Sequence, residues 1–324
     1  MKHIINRILF ATDISQSALP AFHTALTWAN ACDAMLDIVH VMGVMHEVDL
    51  DSAVANRYIK GQRERLKSEL DQLASQANET LSAVHVHMLE GLPVNMIATF
   101  AQTSQADLVI TGTHGWGGIN HVMLGSVAER VICQAPCPVL SVRDVEAEKT
   151  ASTDKLNFSA RDSAPRHILL PIDFSDCSLD AYEYAVNLEK SFDTSVTLLH
   201  ALGPFSYSLD FTLSRPVEDR QHREKVKSRL ADLTKAFTRE GFRASYVIKN
   251  KPASEAIIET RTESGADLII MGTHGHRGLR RLIMGNVAAA VLRQSPVPVL
   301  TVKSQKFKHE SEKPARESVQ ATHL

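Results

Sequence analysis

Cysteine is scarce in this 324-residue chain, which has only Cys32, Cys133, Cys137 and Cys177. Four thiols exclude a disulfide-stapled scaffold, and the step from Cys133 to Cys137 is not the Cys-x2-Cys spacing of a zinc site. They read as reduced thiols, with Cys137 a small core residue. A dominant charge is missing too. The 35 Lys and Arg against 37 Asp and Glu leave a formal net charge of −2, so no basic field argues for nucleic acid. No apolar run approaches membrane-spanning length. The start, Met1-Lys-His-Ile-Ile, leads into a strand rather than an apolar leader. The expectation is a cytoplasmic protein with no membrane or nucleic-acid partner. Also lacking are a Gly-Lys-Ser/Thr loop, a Ser-His-Asp arrangement, a paired-carboxylate site and a Cys/His metal cluster, so nothing marks a catalytic centre.

What the chain does have is a globular balance, with 44% hydrophobic and 22% charged residues, and length enough for two domains. Ile8–Ala11 reads as a buried strand ending in Thr12-Asp13-Ile14-Ser15. Leu19, Phe22, Leu26 and Ala29 then recur at helical spacing. Met35–Val41 is a second strand, residues 42–50 a loop, and Ile59, Leu66, Leu70, Leu73 and Ala77 mark a long amphipathic helix. Val84–Met88 alternates as a third strand, and Pro93 opens a helix to about Ser104. Asp107–Thr111 is a fourth strand, Val127–Cys133 a helix and Pro138–Val142 a fifth strand. Strands alternating with helices predict a parallel sheet covered on both faces.

Between the fourth strand and its helix lies Gly112-Thr-His-Gly115-Trp-Gly-Gly-Ile-Asn-His-Val-Met-Leu-Gly125-Ser126. Glycines permit positive φ and close backbone approach. The N–H groups of a helix's first turn favour an anion. Ser126 is placed to cap that helix or to donate to a phosphate. The stretch recurs as Gly272-Thr-His-Gly275 through Gly285-Asn286, with Gly112 to Gly272 and Gly125 to Gly285 each 160 residues apart. Asp13 and Asp173, His40 and His200, and Gly118 and Gly278 share that offset. A repeat this long means two copies of one domain. Residues 1–143 and 166–303 are read as these copies, with a polar linker at 144–165 and a disordered tail at 304–324.

The spacing Gly-x2-Gly-x9-Gly-Ser resembles the nucleotide motif of the universal stress protein family, in its ATP-binding branch. The likeness covers both units. It implies an α/β, Rossmann-like fold of the adenine-nucleotide alpha-hydrolase type. Two tandem five-stranded parallel sheets, each in the order 3-2-1-4-5, would be flanked by helices. The ligand implied is ATP, or ADP or AMP, with magnesium, lying across the carboxyl ends of strands one and four. Thr12, Asp13 and the backbone near Val41 would hold base and ribose, and Gly112 would lie by the ribose. Gly115, Gly125, Ser126 and Val127 would take the phosphates, with His114 in the loop. The matching second set is Asp173, Ala201, Gly272, His274, Gly275, Gly285, Asn286 and Val287. There Asn286 replaces the hydroxyl residue of the motif, which predicts weaker triphosphate binding.

The first reading of function is a nucleotide-binding regulator of a stress response that meets an unidentified protein partner. A slow ATPase or autophosphorylating enzyme is the second reading, and an interaction module without nucleotide the third. Asp13 and Asp173 are read as ligand contacts, and His40 and His200 as structural. His114 and His274 reach a phosphate or cap a turn. His85 and His87 share one strand face without a third ligand nearby in sequence and are read as solvated. In this family single-unit proteins dimerise through strand five. Two fused units would satisfy that contact within the chain, Pro138–Val142 facing Pro298–Val302, and a further homodimer stays open.

Overall fold

The structure is a computed structural model that describes residues 4–43, 53–113, 124–144, 164–188, 192, 194–203, 215–275 and 284–303. Its first half runs β1 (Arg7–Ala11), α1 (Leu19–Cys32), β2 (Met35–Met42), α2 (Ala53–Asn78), β3 (Val84–Glu90), α3 (Pro93–Thr103), β4 (Leu108–Gly112), α4 (Ser126–Gln134) and β5 (Val139–Val142). The second half repeats the sequence as β6 (His167–Pro171), α5 (Asp176–Leu188), β7 (Ser195–Ala201), α6 (Arg215–Arg239), β8 (Arg243–Lys249), α7 (Ala253–Ser264), β9 (Leu268–Gly272), α8 (Asn286–Gln294) and β10 (Val299–Val302). The linker and tail expected from sequence fall largely outside the described residues.

Local chemistry explains the element ends. Pro93 occupies the first turn of α3, where its missing N–H costs nothing. Gly265 ends α7 in the left-handed region at φ 68°, a conformation that suits glycine. The second half's first strand stops at Pro171, two residues earlier than the apolar run suggests. Asp107 Oδ2 accepts from the N–H groups of Asn6 and Arg7 at 2.8 and 3.0 Å, stapling the start of β1 to β4. Asp267 does the same for Arg166 and His167.

The strands form one ten-stranded sheet in the order β3-β2-β1-β4-β5-β10-β9-β6-β7-β8. Each half is therefore parallel in the order 3-2-1-4-5. The halves meet as an antiparallel pair of fifth strands, Leu140 opposite Leu300 and Ser141 opposite Val299. Because Leu140 and Leu300 are equivalent positions, a pseudo-twofold axis passes between them. The edge strand that the sequence predicts to be covered is thus paired with its own repeat. Thr301 Oγ1 adds a bond to Val139 O at 3.1 Å.

Both faces of the sheet carry a core that runs through both halves. One contains Phe10, Phe22, Trp28 and Ile38 together with Leu170, Leu198 and Phe237. The other contains Leu9, Val39, Ile97 and Val131 together with Leu169, Ile257 and Val291. Trp28 of α1 packs on Phe192 of the second half, ring centroids 5.1 Å apart. Each such buried side chain contributes roughly 1.5–3 kcal/mol.

The two halves also cap each other's helices. Lys303, just beyond β10, donates from Nζ to Cys133 O and to Ala135 O at the end of α4. Its equivalent, Arg143, donates from Nη1 to Arg293 O of α8 at 2.8 Å. A cation at a helix C-terminus satisfies carbonyls that have no partner within the helix and complements the dipole.

Candidate functional site

In each half, strands one and four lie side by side with their carboxyl ends together. β1 gives way to Thr12 and Asp13 as β4 gives way to Gly112 and Thr113. The strand order of an open parallel sheet reverses between these two strands, and such a switch point is where a crevice opens. Thr12 remains tied to β2, its N–H donating to Val39 O at 3.0 Å. His40 is buried and its Nδ1 bonds to Thr12 O at 2.9 Å. His200 bonds to Ile172 O at 2.6 Å in the second half. These histidines brace the turn, in keeping with a structural reading. Burial pushes the His200 pKa below its ordinary value, partly offset by the Ile172 carbonyl.

The acidic turn is built in the same way twice. Asp13 Oδ1 accepts from Ser15 N–H at 3.0 Å and from Ser15 Oγ at 2.6 Å. Asp173 Oδ1 accepts the matching pair from Ser175 at 2.9 and 2.5 Å. The residue between them is left-handed in both halves, Ile14 at φ 65° and Phe174 at φ 64°. For bulky side chains this is a strained conformation, of the kind that persists where the surroundings over-determine it. The two serines escape a search for binding residues, although Asp-x-Ser is a known turn pattern. Phe174 is further held between the His200 ring at 5.2 Å and the Arg229 guanidinium at 3.8 Å from its centroid.

Of the two roles expected of the motif glycines, positive φ and close approach, the second is the one seen at the helix starts. Gly125 and Gly285 have φ of −58° and −62°, open to any residue. What they permit is close approach. A β-carbon would stand 3.0 Å from Thr113 O at position 125 and 3.1 Å from Thr273 O at position 285. Their own N–H groups donate to those same carbonyls at 2.7 and 3.0 Å, closing each loop onto the end of the fourth strand. Gly272 is required by packing, because a β-carbon there would come within 2.8 Å of the Cys177 backbone in α5. At Gly275 it would meet Asp173 Oδ2 at 2.7 Å. The second loop therefore returns onto the acidic turn.

Helix capping also departs from expectation. The cap positions are Gly125 and Gly285, with no side-chain cap bond, and Ser126 and Asn286 are the first helical residues. Intrahelical bonding starts at Glu129 N–H to Gly125 O and at Ala289 N–H to Gly285 O. The N–H groups of residues 126–128 and 286–288 thus have no acceptor within their helices, and a helix dipole sits behind them. Val127 and Val287, in this first turn, are exposed at 40% and 38%, two of four large exposed hydrophobics among the described residues. That array suits an anion, with an apolar surface beside it for a ligand to cover.

The described residues thus bring together Thr12, Asp13, Gly112, Gly125, Ser126 and Val127, and Asp173, Gly272, His274, Gly275, Gly285, Asn286 and Val287. Val41 and Ala201 lie at the same sheet edge, at the carboxyl ends of β2 and β7. His274 Nδ1 bonds to Thr273 Oγ1 at 2.9 Å, a turn contact. His114, Gly115 and Gly118, and Arg277, Gly278, Arg280 and Arg281 of the second loop, lie outside the described residues. His85 and His87 do not stand alone on a solvated face: Asp37, buried on β2, hydrogen-bonds His87.

Comparison with known proteins agrees with this architecture. The family model for the Universal stress protein family matches residues 5–143 and again residues 165–303. Universal stress protein MJ0531 of Methanocaldococcus jannaschii is 36% identical over 151 residues, 45% of this chain and 87% of that protein. Universal stress protein MJ0577 of the same organism is 30% identical over 157 residues, 43% of this chain and 94% of its own length. The crystal structure of a universal stress protein from Archaeoglobus fulgidus shares the fold across both halves. It has a TM-score of 0.64 at 22% identity and covers 94% of this chain and 98% of that one. No helix among the described residues is long and apolar enough to cross a membrane. With two full matches to one family model, joined through their fifth strands, the chain belongs to the universal stress protein family as a tandem member carrying two copies of its domain.

Proposed function

We propose that the chain binds an adenine nucleotide, ATP with magnesium in the first instance, in the crevice of each half, and that it acts as a cytoplasmic regulator in a stress response. One observation carries the reading. In both halves a helix N-terminus with three N–H groups lacking intrahelical acceptors opens at the carboxyl edge of strand four, beside an oriented aspartate turn. The N–H groups of Ser126, Val127 and Ala128, and of Asn286, Val287 and Ala288, would receive phosphate oxygens. Asp13 and Asp173 would face the ribose hydroxyls or the magnesium. The backbone ends at Val41 and Ala201 would bound the base.

A nucleotide regulates only through different affinities for two states. The capping lysine suggests where such a difference would be felt. α4 would take phosphate at its N-terminus and is held at its C-terminus by Lys303 of the other half. Occupancy of the first crevice therefore bears on the seam between halves, where a protein partner would sense it. The test is hydrogen exchange with and without Mg-ATP. Protection is expected at the first turns of α4 and α8 and along β5 and β10. Protection confined to sites remote from both crevices would overturn the reading.

A further inference from the structure

Away from the nucleotide crevice, three metal-ligating side chains converge near the amino end of β2. Asp37 is 0% exposed. Parallel pairing sets it directly beside His85 on β3, and His87 follows two residues on, along the same face. Asp37 Oδ1 accepts from His87 Nε2 at 2.8 Å and stands 3.8 Å from His85 Nδ1. All three ligand atoms lie within 4.8 Å of one another. Phe100 of α3 backs the His87 ring, centroids 4.5 Å apart. The His85 side chain is 52% exposed, so the cluster opens to water. From Asp37 to Val41, at the crevice edge, the strand rises about 13 Å.

The second half shows that the fold itself does not demand this set. Positions equivalent to Arg7, Asp37, His85 and His87 hold His167, Thr197, Ser245 and Val247. There His167 Nε2 meets Thr197 Oγ1 at 2.9 Å, and Thr197 meets Ser245 Oγ at 3.2 Å. Neutral hydroxyls close the same place, whereas the first half has buried a carboxylate and turned two imidazoles onto it.

We propose that Asp37, His85 and His87 form a site for one divalent transition-metal ion of the zinc class, with water completing its coordination. Two imidazoles and a carboxylate are donors for zinc and its first-row neighbours, not for calcium or magnesium, which take oxygen. Bond lengths of about 2.0–2.2 Å in tetrahedral geometry separate ligand atoms by about 3.3–3.6 Å. The spacings of 2.8 and 3.8 Å bracket that range, so small side-chain rotations suffice. Arg7 supplies the outer support. Its Nε donates to Asp37 Oδ2 at 2.5 Å and its Nη2 to Oδ1 at 3.2 Å. A metal would take Oδ1 from the weaker of these bonds, while Oδ2 stays anchored and the carboxylate stays oriented.

The experiment uses the full chain, stripped with chelator and equilibrated with zinc, nucleotide being absent so that the result is independent of the crevice. Bound zinc per chain is measured by elemental analysis, and cobalt substitution is followed by visible absorption. One ion per chain is expected, with a tetrahedral cobalt band. The pair His85→Ala and His87→Ala should abolish both signals, weakening binding by more than the roughly 10–100-fold that outer-shell changes cost. His167→Ala in the second half should change neither. His85→Ala alone, at an exposed position, gives the same answer if the double variant does not fold. A wild-type chain that binds no more zinc than the variants would overturn the proposal and leave the cluster an Arg7–Asp37–His87 structural bridge.

Discussion

Replacing Lys303 with methionine keeps the apolar stem and removes the ammonium that caps α4. The bonds to Cys133 O and to Ala135 O, the latter at 2.8 Å, are lost. Hydrogen bonds with a charged partner contribute about 1.5–3 kcal/mol each when buried. Here the site is only partly buried, so water recovers part of that, and a combined loss of about 1.5–2 kcal/mol is the working figure. At roughly 2–4 °C per kcal/mol for domains of 150–250 residues, and less for a longer chain, the midpoint should fall by about 3–6 °C. Arg143→Met removes the exposed bond to Arg293 O. Its cost should be at or below about 1 kcal/mol. Thermal unfolding followed by circular dichroism, at one protein concentration and without nucleotide, reads both. A Lys303→Met midpoint within about 1 °C of wild type, or a larger drop for Arg143→Met, would refute the idea that the reciprocal caps hold the seam.

The second crevice should bind ATP more weakly than the first. Asn286→Ser, made in a Gly125→Val background so that only the second site is read, should tighten binding by up to about tenfold, the worth of one good hydrogen bond; an unchanged calorimetric titration would dismiss the asymmetry. Burial holds the His200, His23 and His167 pKa values below their ordinary value of 6.5. The unfolded chain therefore binds more protons just below that pH, and stability should be complete above about 6.5 and decline as the pH falls. Midpoints measured from pH 7.5 to 5.5 should drop, and His200→Gln should flatten the slope; midpoints that rise on acidification would contradict this.

Much of the fold could be read from local pattern. The alternation of strands and helices, and the 160-residue offset linking Asp13 to Asp173 and Gly125 to Gly285, lead to two parallel α/β units, while the strand order 3-2-1-4-5 comes from the family resemblance. The pairing of Val139–Val142 with Val299–Val302 follows from an apolar edge that needs a partner. What escaped were features made by tertiary contact. Asp37 sits in an apolar run that reads as a plain buried strand, and only the β2–β3 register brings it to His85. The left-handed turn falls on Ile14 and Phe174, residue types that carry no signal for that conformation, while the glycines beside the crevice are needed for closeness rather than for positive φ. Ser126 looks like a cap by type, yet the chain turns one residue earlier, at Gly125. Lys303 and Arg143 resemble ordinary surface cations until the antiparallel seam delivers them to the opposite half's helix ends.

Phosphate reception at α4 and α8 is tested most directly by calorimetric titration of Mg-ATP into the full chain. Wild-type protein should bind ATP. Gly125→Val together with Gly285→Val, placing side chains against Thr113 O and Thr273 O, should disturb both first turns. Losing two charge-assisted backbone contacts per site, at about 1.5–3 kcal/mol each, should weaken affinity by about two decades or more. No heat of binding in the wild type, or an equal affinity in a variant whose circular dichroism is native, would contradict it.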